Sequence, residues 1–539
     1  MLGKRIPWAA ALFLLLLVGC GADPETGGQA GGGPTSQTGG GQASQAGTSG
    51  GTGQSSADPD EPSDEIKWKV VRDTWDASFI KNSKVGFSHV TIEQGSRGDQ
   101  QFVRVKIADE SEILRFGQRT KQRFEAECLE NAAGQLVSFA TQADAGRQKL
   151  KTAGEVKDAR LVIRTDLGVQ KQTNAIDWEP GWGGFFADAR SLLEKPLEEG
   201  EMRTLKMLAP LVNEAATVEL KAIGRGPTAM LDGSTAQLME IATKTNAAKV
   251  TLTGTLWCDE RGEILKSHNV TLDITTYRVT AQQARAKSKL IDFDLGLASI
   301  VPVAQNLTDA HQLKKATYRV KLERSDPAES FATGFTQRVR SIDKRTAEIV
   351  VESLAGDDER EVDPGGDEPP TAKELAANSF IQSTDGAVVE MASGVNPDEM
   401  DDWKLALALE NHVHDSVVTK GFSQAFSPAS DVVRSREGDC TEHAVLLAAL
   451  CRARGVPARA VVGLVYVPAE RGFAFHMWNE VWVNHRWVPL DAMLGRGGVG
   501  AARLKVAHTS LAGASPYAAL LPVVPVLRGL SIEVLKTEP

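Results

Sequence analysis

Cys440, His476 and Asp491 have the residue types and the order that thiol chemistry needs. A thiolate attacks a carbonyl carbon, an imidazole holds and then delivers the proton, and a carboxylate orients the ring and stabilises its charged form. Cys440 lies in Arg436-Glu437-Gly438-Asp439-Cys440-Thr441-Glu442-His443-Ala444. Asp439 followed three residues later by Glu442 is a capping-box pattern, so Asp439 is the expected N-cap and Cys440 the first helical residue. Leu446, Leu447, Leu450 and Cys451 supply an apolar stripe, and Gly455 stops the helix. The positive end of the backbone dipoles favours thiolate at this position. The charge of Asp439 opposes it, so the dipole alone is insufficient and a neighbouring imidazolium is needed.

A hairpin can supply that imidazolium. Gly472 to Val483 reads as a long strand, Asn484-His485 as a two-residue turn, and Arg486-Trp487-Val488-Pro489-Leu490-Asp491 as the return. Val483 then pairs with Arg486, which puts His476 and Asp491 on one face as diagonal neighbours, with Cα atoms roughly 7–8 Å apart. A three-residue turn would put them on opposite faces, so the pairing depends on this register.

Further candidates surround these three. Gln424, upstream in a loop, is a candidate oxyanion donor beside the backbone N–H of Cys440. His443, one turn after Cys440, and Trp478, on the histidine strand, are candidates for supporting the site from behind. Glu480 shares the His476 face and is expected in a structural ion pair; Trp478, Trp482 and Trp487 share that face too, as cleft wall or as cross-strand packing. Cys451 is expected as a buried hydrophobe, too far along its helix for a disulfide to Cys440. Cys128 and Cys258 occupy similar hairpin positions and either pair in an oxidising compartment or fill the core. His412 and His414 lie on a helix beginning near Asp401; neither they nor any CxxC pair is read as a metal site.

Gly438-Asp439-Cys440, the strand His476-Met477-Trp478-Asn479-Glu480-Val481 and Trp487-Val488-Pro489-Leu490-Asp491 resemble the three signature blocks of the bacterial transglutaminase-like superfamily, with Gly455-Val456-Pro457-Ala458-Arg459 as the segment between the first two. The resemblance runs from about Asn378 to the end of the chain. It implies an α+β, papain-like domain: a helix bearing the cysteine packed on an antiparallel sheet bearing the histidine and aspartate. It assigns catalytic roles to Cys440, His476 and Asp491 and implies no cofactor and no metal. The family includes cysteine peptidases, amidases and transglutaminases, and members without activity.

The rest of the chain must present this domain. Lys4 and Arg5, the apolar run Trp8 to Val18 and Leu17-Val18-Gly19-Cys20 resemble a lipoprotein signal with its lipobox, which spans 1–20 and would lipidate Cys20. Several acyl chains on one residue make a stable anchor. The absence of aspartate after Cys20 implies the outer membrane, facing the periplasm or the cell surface. Residues 21–63 are Gly, Ser, Gln, Thr and Ala with little to bury, a tether with an end-to-end distance on the order of 35 Å. From 64 to 290 short alternating runs such as Phe102 to Ile107 and Val250 to Trp257 predict a large antiparallel β-rich region, with a helix at about Gly184 to Leu197. A second β-rich piece is expected at 291–355, an acidic Pro/Gly linker at 356–372 and the transglutaminase-like domain at 373–539.

Composition bounds the partners. The 539 residues carry a formal net charge of -10 and show no basic stripe, which argues against nucleic acid. The expected reading is a membrane-anchored thiol enzyme outside the cytoplasm, acting on peptide or amide bonds of a peptide or protein substrate. A transferase joining glutamine to amines and a non-catalytic binding module are the alternatives.

Overall fold

Alternation of buried and open positions dictates the amino-terminal architecture. In Gln118–Asn131, for example, the residues alternate strictly between covered and open from Thr120 onward, the pattern of a strand with one face in a core. In the computed structural model, residues 66–539 are described apart from 146–147, 167–170, 211, 248–249, 288–293, 420–425, 514 and 527–528. Among the described residues, fourteen such strands between Lys69 and Val279 form one antiparallel sheet. Its order is two meanders, the first eight strands and the last six, joined where Lys69–Ile80 pairs with Ile274–Val279. The helix expected near Gly184 to Leu197 runs Ala187–Glu194 and sits between the meanders in the chain. Cys128 and Cys258 are not joined to each other: both thiols are buried, and five strands separate theirs in the sheet order.

The carboxy-terminal part is α+β. A five-stranded antiparallel sheet places Val301–Pro302, Gly472–Val483, Ala458–Val467 and Arg503–Thr509 in that order, with Arg486–Leu490 also on Gly472–Val483. The helix Cys440–Ala453 packs on its central strands, flanked by the helices Gly386–Ser393, Asp402–Ser416 and Ala429–Ser435. A four-stranded sheet holds Gln337–Asp343, Thr346–Glu352, Lys315–Leu322 and the last strand, Leu530–Glu538.

Two sequence readings differ from this arrangement. The segment 291–355 is no separate piece, because Val301–Pro302 joins the histidine strand and Lys315–Leu322 pairs with the end of the chain. Nor is 356–372 an open linker: Asp367 is buried against Arg459 at 2.7 Å, and the Glu368 carbonyl accepts the Trp487 indole N–H at 2.8 Å. Composition suggested exposure, but the buried cations Arg459 and Lys505 at Asp367, with the Trp487 indole at Glu368, pin the stretch. One apolar core runs through both parts, from Phe124 and Leu161 to Leu446 and Trp487.

Candidate active site

The cysteine helix starts as its cap chemistry requires. Asp439 accepts from the Thr441 amide at 2.9 Å, Glu442 accepts from the Asp439 amide at 3.0 Å, and Cys440 is the first helical residue. The other Glu442 oxygen takes the Ser427 amide at 2.9 Å. Burial, reinforced by the charge of Asp439, pushes the Glu442 carboxyl up to about 8. Gly455 ends the helix with φ +82°, the left-handed conformation glycine adopts at little cost.

The hairpin has the register the two-residue turn requires. Val483 pairs with Arg486 and Trp482 with Trp487, and Asn484 and His485 have φ of 49° and 63°, as a type I′ turn demands. The geometry that follows is direct: His476 Nε2 donates to Asp491 Oδ2 at 2.8 Å. The amide of Met477, the next residue on the strand, donates to Cys440 Sγ at 3.2 Å. Asn479 ties the same strand to the helix by donating to the Ala444 carbonyl at 2.9 Å. Cys440, His476 and Asp491 are thus brought into one buried cluster.

Three residues that sequence reading did not single out hold the cluster. Arg503 Nη1 donates to the same Oδ2 of Asp491 at 2.6 Å. Burial works against the Asp491 charge, but His476 and then Arg503 outweigh it and hold the carboxyl well below its usual range. Glu410 accepts the Asp491 amide at 2.8 Å and the Gly497 amide at 3.0 Å, fixing the turn that carries Asp491. Arg115, from the amino-terminal sheet, reaches Asp439 Oδ2 at 3.2 Å. Glu410 carried a readable signal, a carboxylate on the apolar stripe of Ala406, Leu409 and Val413; Arg115 carried none.

The remaining candidates fall as follows. Trp478 stacks alongside His476, ring centroids 6.3 Å apart and planes 19° apart, and the Arg503 guanidinium lies over its indole at 5.5 Å. His443 is buried on the cysteine helix, its Nδ1 donating to the Asp439 carbonyl at 2.7 Å. Gln424 and Cys20 lie outside the described residues. Glu480 is ion-paired with Arg459 and Lys505. His414 donates from Nδ1 to the Ala492 carbonyl at 3.1 Å and so braces the Asp491 turn. Burial pushes the Cys451 thiol up to about 12. Among the described residues no group of three or more His, Cys, Asp or Glu side chains is arranged to hold a metal ion.

Residues 389–492, which contain Cys440, His476 and Asp491, match the family model of the transglutaminase-like superfamily. No curated protein matches the chain. Among solved structures, one from Cytophaga hutchinsonii, proposed to be a cysteine protease, shares 18% identity over 42% of this chain and 85% of its own, with a TM-score of 0.27. A β-barrel-like protein of a domain of unknown function from Brucella abortus shares 8% identity over 41% of this chain and 98% of its own, with a TM-score of 0.26. A protein from Parabacteroides distasonis, proposed to be a protease, shares 9% identity over 64% of each chain, with a TM-score of 0.18.

Proposed function

We propose that the protein is a membrane-anchored, extracytoplasmic thiol enzyme that hydrolyses peptide or amide bonds through Cys440, His476 and Asp491. The observation that carries the reading is the convergence at the helix start: Met477 N–H on Cys440 Sγ, with His476 Nε2 on Asp491. With Nε2 engaged, Nδ1 is the ring nitrogen that exchanges a proton with sulfur. The thiolate attacks the carbonyl carbon, the C–N bond breaks, and His476 delivers its proton to the departing amine, leaving a thioester. His476 then takes a proton from water, whose oxygen attacks the thioester; the acid leaves and the thiol is regenerated. Hydrolysis needs no second binding site, whereas transfer to an amine does. Among the described residues no helix is long and apolar enough to cross a membrane; the anchor is assigned to lipid on Cys20 from the sequence pattern.

The test incubates the full chain with a peptide library containing glutamine, with and without a primary amine, and reads products by mass spectrometry. Free acid that disappears in Cys440→Ala is expected. Product surviving in Cys440→Ala rejects the mechanism, and an amine adduct in place of acid rejects hydrolysis in favour of transfer. Radiolabelled acyl chains, incorporated in the wild type and lost in Cys20→Ala, test the anchor.

A further inference from the structure

The amino-terminal sheet sends one charged side chain into the candidate site. Strands Gln100–Arg115 and Gln118–Asn131 form a hairpin whose turn residues, Phe116 and Gly117, have φ of 46° and 77°. The tip is clamped: Asp294 accepts the Phe116 amide at 2.9 Å through Oδ1 and the Gly117 amide at 2.7 Å through Oδ2. Asp294 also caps the short helix Leu295–Ala298. This fixes Arg115, 2% exposed, against Asp439, 3% exposed, across 324 residues of sequence. A guanidinium held this deeply by a hairpin tip is an expensive placement unless a buried anion balances it.

Asp439 is the residue whose charge most directly opposes a thiolate on Cys440, since it precedes the sulfur in the chain and caps the same helix. We infer that Arg115 is a positioning residue of the site, cancelling the Asp439 charge so that the helix terminus and His476 act on the thiol unopposed. The inference deepens the thiol-enzyme reading and rests on it. It gives the large sheet a part in the chemistry: the transglutaminase-like domain borrows a cation from outside its own segment.

The other charged groups around Cys440 do not replace it. On its own helix, Glu442 receives the Asp439 and Ser427 amides, and His443 bonds the Asp439 carbonyl. From the sheet, His476 and Arg503 both converge on Asp491. From the helix Asp402–Ser416, Glu410 is committed to the Asp491 turn. Asp294 acts on Arg115 through its charge and holds the backbone of its hairpin. Among the described residues, Arg115 supplies the ion pair to Asp439.

The test follows iodoacetamide labelling of Cys440 across pH on the full, reduced chain, with the modified residue located by mass spectrometry. Unit charges roughly 6–12 Å apart at an effective dielectric near 20 are worth about one to two pH units. Arg115→Met should raise the labelling midpoint by about that much, slowing labelling about ten- to a hundredfold at a pH below the midpoint. Asp439→Asn, which keeps a good N-cap, should lower it. Arg115→Met/Asp439→Asn should return it to within a few tenths of the wild type. A structural strut would move the thermal midpoint without this pattern. An unchanged labelling midpoint in folded Arg115→Met overturns the inference. Where Arg115→Met does not fold, the double variant decides, with no charge left alone: a wild-type midpoint supports the inference, and a midpoint lowered as in Asp439→Asn alone, or raised by a unit, overturns it. A wild-type midpoint near 8.5, the ordinary thiol value, rejects the thiolate–imidazolium pair itself; the Arg115 shift is still read against it, because cancelling Asp439 does not need the imidazolium.

Discussion

Arg503 and Asp491 meet at 2.6 Å through Oδ2, the oxygen that also receives His476 Nε2 at 2.8 Å. Asp491 is 1% exposed, so its charge is borne entirely by protein partners. Removing one partner of such a buried pair leaves an uncompensated ion, which costs about 3 kcal/mol or more. Arg503→Met is therefore expected to lower unfolding stability by about 3 kcal/mol and to slow Cys440 labelling, because the carboxylate then keeps the imidazole and the Met493 amide but loses its guanidinium. Arg503→Lys, which restores charge without the planar fork, should recover part of each loss. Urea unfolding and alkylation rates check both variants. Wild-type values for Arg503→Met would mean that Arg503 contributes nothing to Asp491.

The parts of the site legible in the sequence are those written within a few residues. The cap at Asp439, the helix from Cys440 and the turn at Asn484-His485 follow from local chemistry, and the turn alone sets the His476–Asp491 register. The residues that escaped notice arrive from a distance. Arg115 and Asp439 are brought together by domain packing, and Arg503 by a strand that lies beside Ala458–Val467 in space but not in sequence. Val301–Pro302, two residues long, has no periodicity to read, yet it extends the sheet and dissolves the boundary drawn near 355. Asp367 was hidden in the opposite way, since its Pro/Gly-rich neighbours suggested an exposed stretch while Arg459 buries it. Local pattern sets elements; long-range charge pairing is decided only when the elements dock.

A second expectation concerns acid. Glu480 receives Arg459 Nε at 2.7 Å and Lys505 Nζ at 2.8 Å, all three side chains buried. Burial raises its carboxyl, but Lys505 and then Arg459 overcome that and hold it down to about 2. A folded value below the unfolded one, about 4.3, means stability that is present above about pH 4.3 and lost as pH falls through about 2. The loss amounts to about 2–3 kcal/mol. Glu480→Gln should cost about 3 kcal/mol near pH 7, where two cations lose a shared anion, and should flatten the acid limb below about pH 4.3. Urea midpoints compared near neutrality and at about pH 3 test this. An acid limb as steep in the variant as in the wild type would place the titrating carboxyl elsewhere.

Glu410 titrates in the opposite sense. It is buried, with one oxygen on the Asp491 amide and the other on the Gly497 amide. Burial pushes the carboxyl up, the charge of Asp491 adds to that, and the two amides only partly offset them, leaving it at about 7. A carboxyl raised above its unfolded value, about 4.3, stabilises the fold fully below that pH and loses its contribution as pH rises through about 7. Over that window the wild type should lose about 2–4 kcal/mol from this group. Glu410→Gln keeps an acceptor for one of the two amides and has nothing to titrate. The stability difference between variant and wild type should therefore move toward the variant by about 2–4 kcal/mol between about pH 4.3 and pH 8. Glu410→Ala differs in kind, because it leaves the Asp491 amide buried without this acceptor at a cost of about 1–3 kcal/mol at every pH. It should also slow Cys440 labelling by loosening the turn on which Asp491 meets His476. Unfolding of the three proteins across pH separates the two effects. A difference that stays constant between about pH 4.3 and pH 8 would show that the Glu410 carboxyl is not raised in the folded protein.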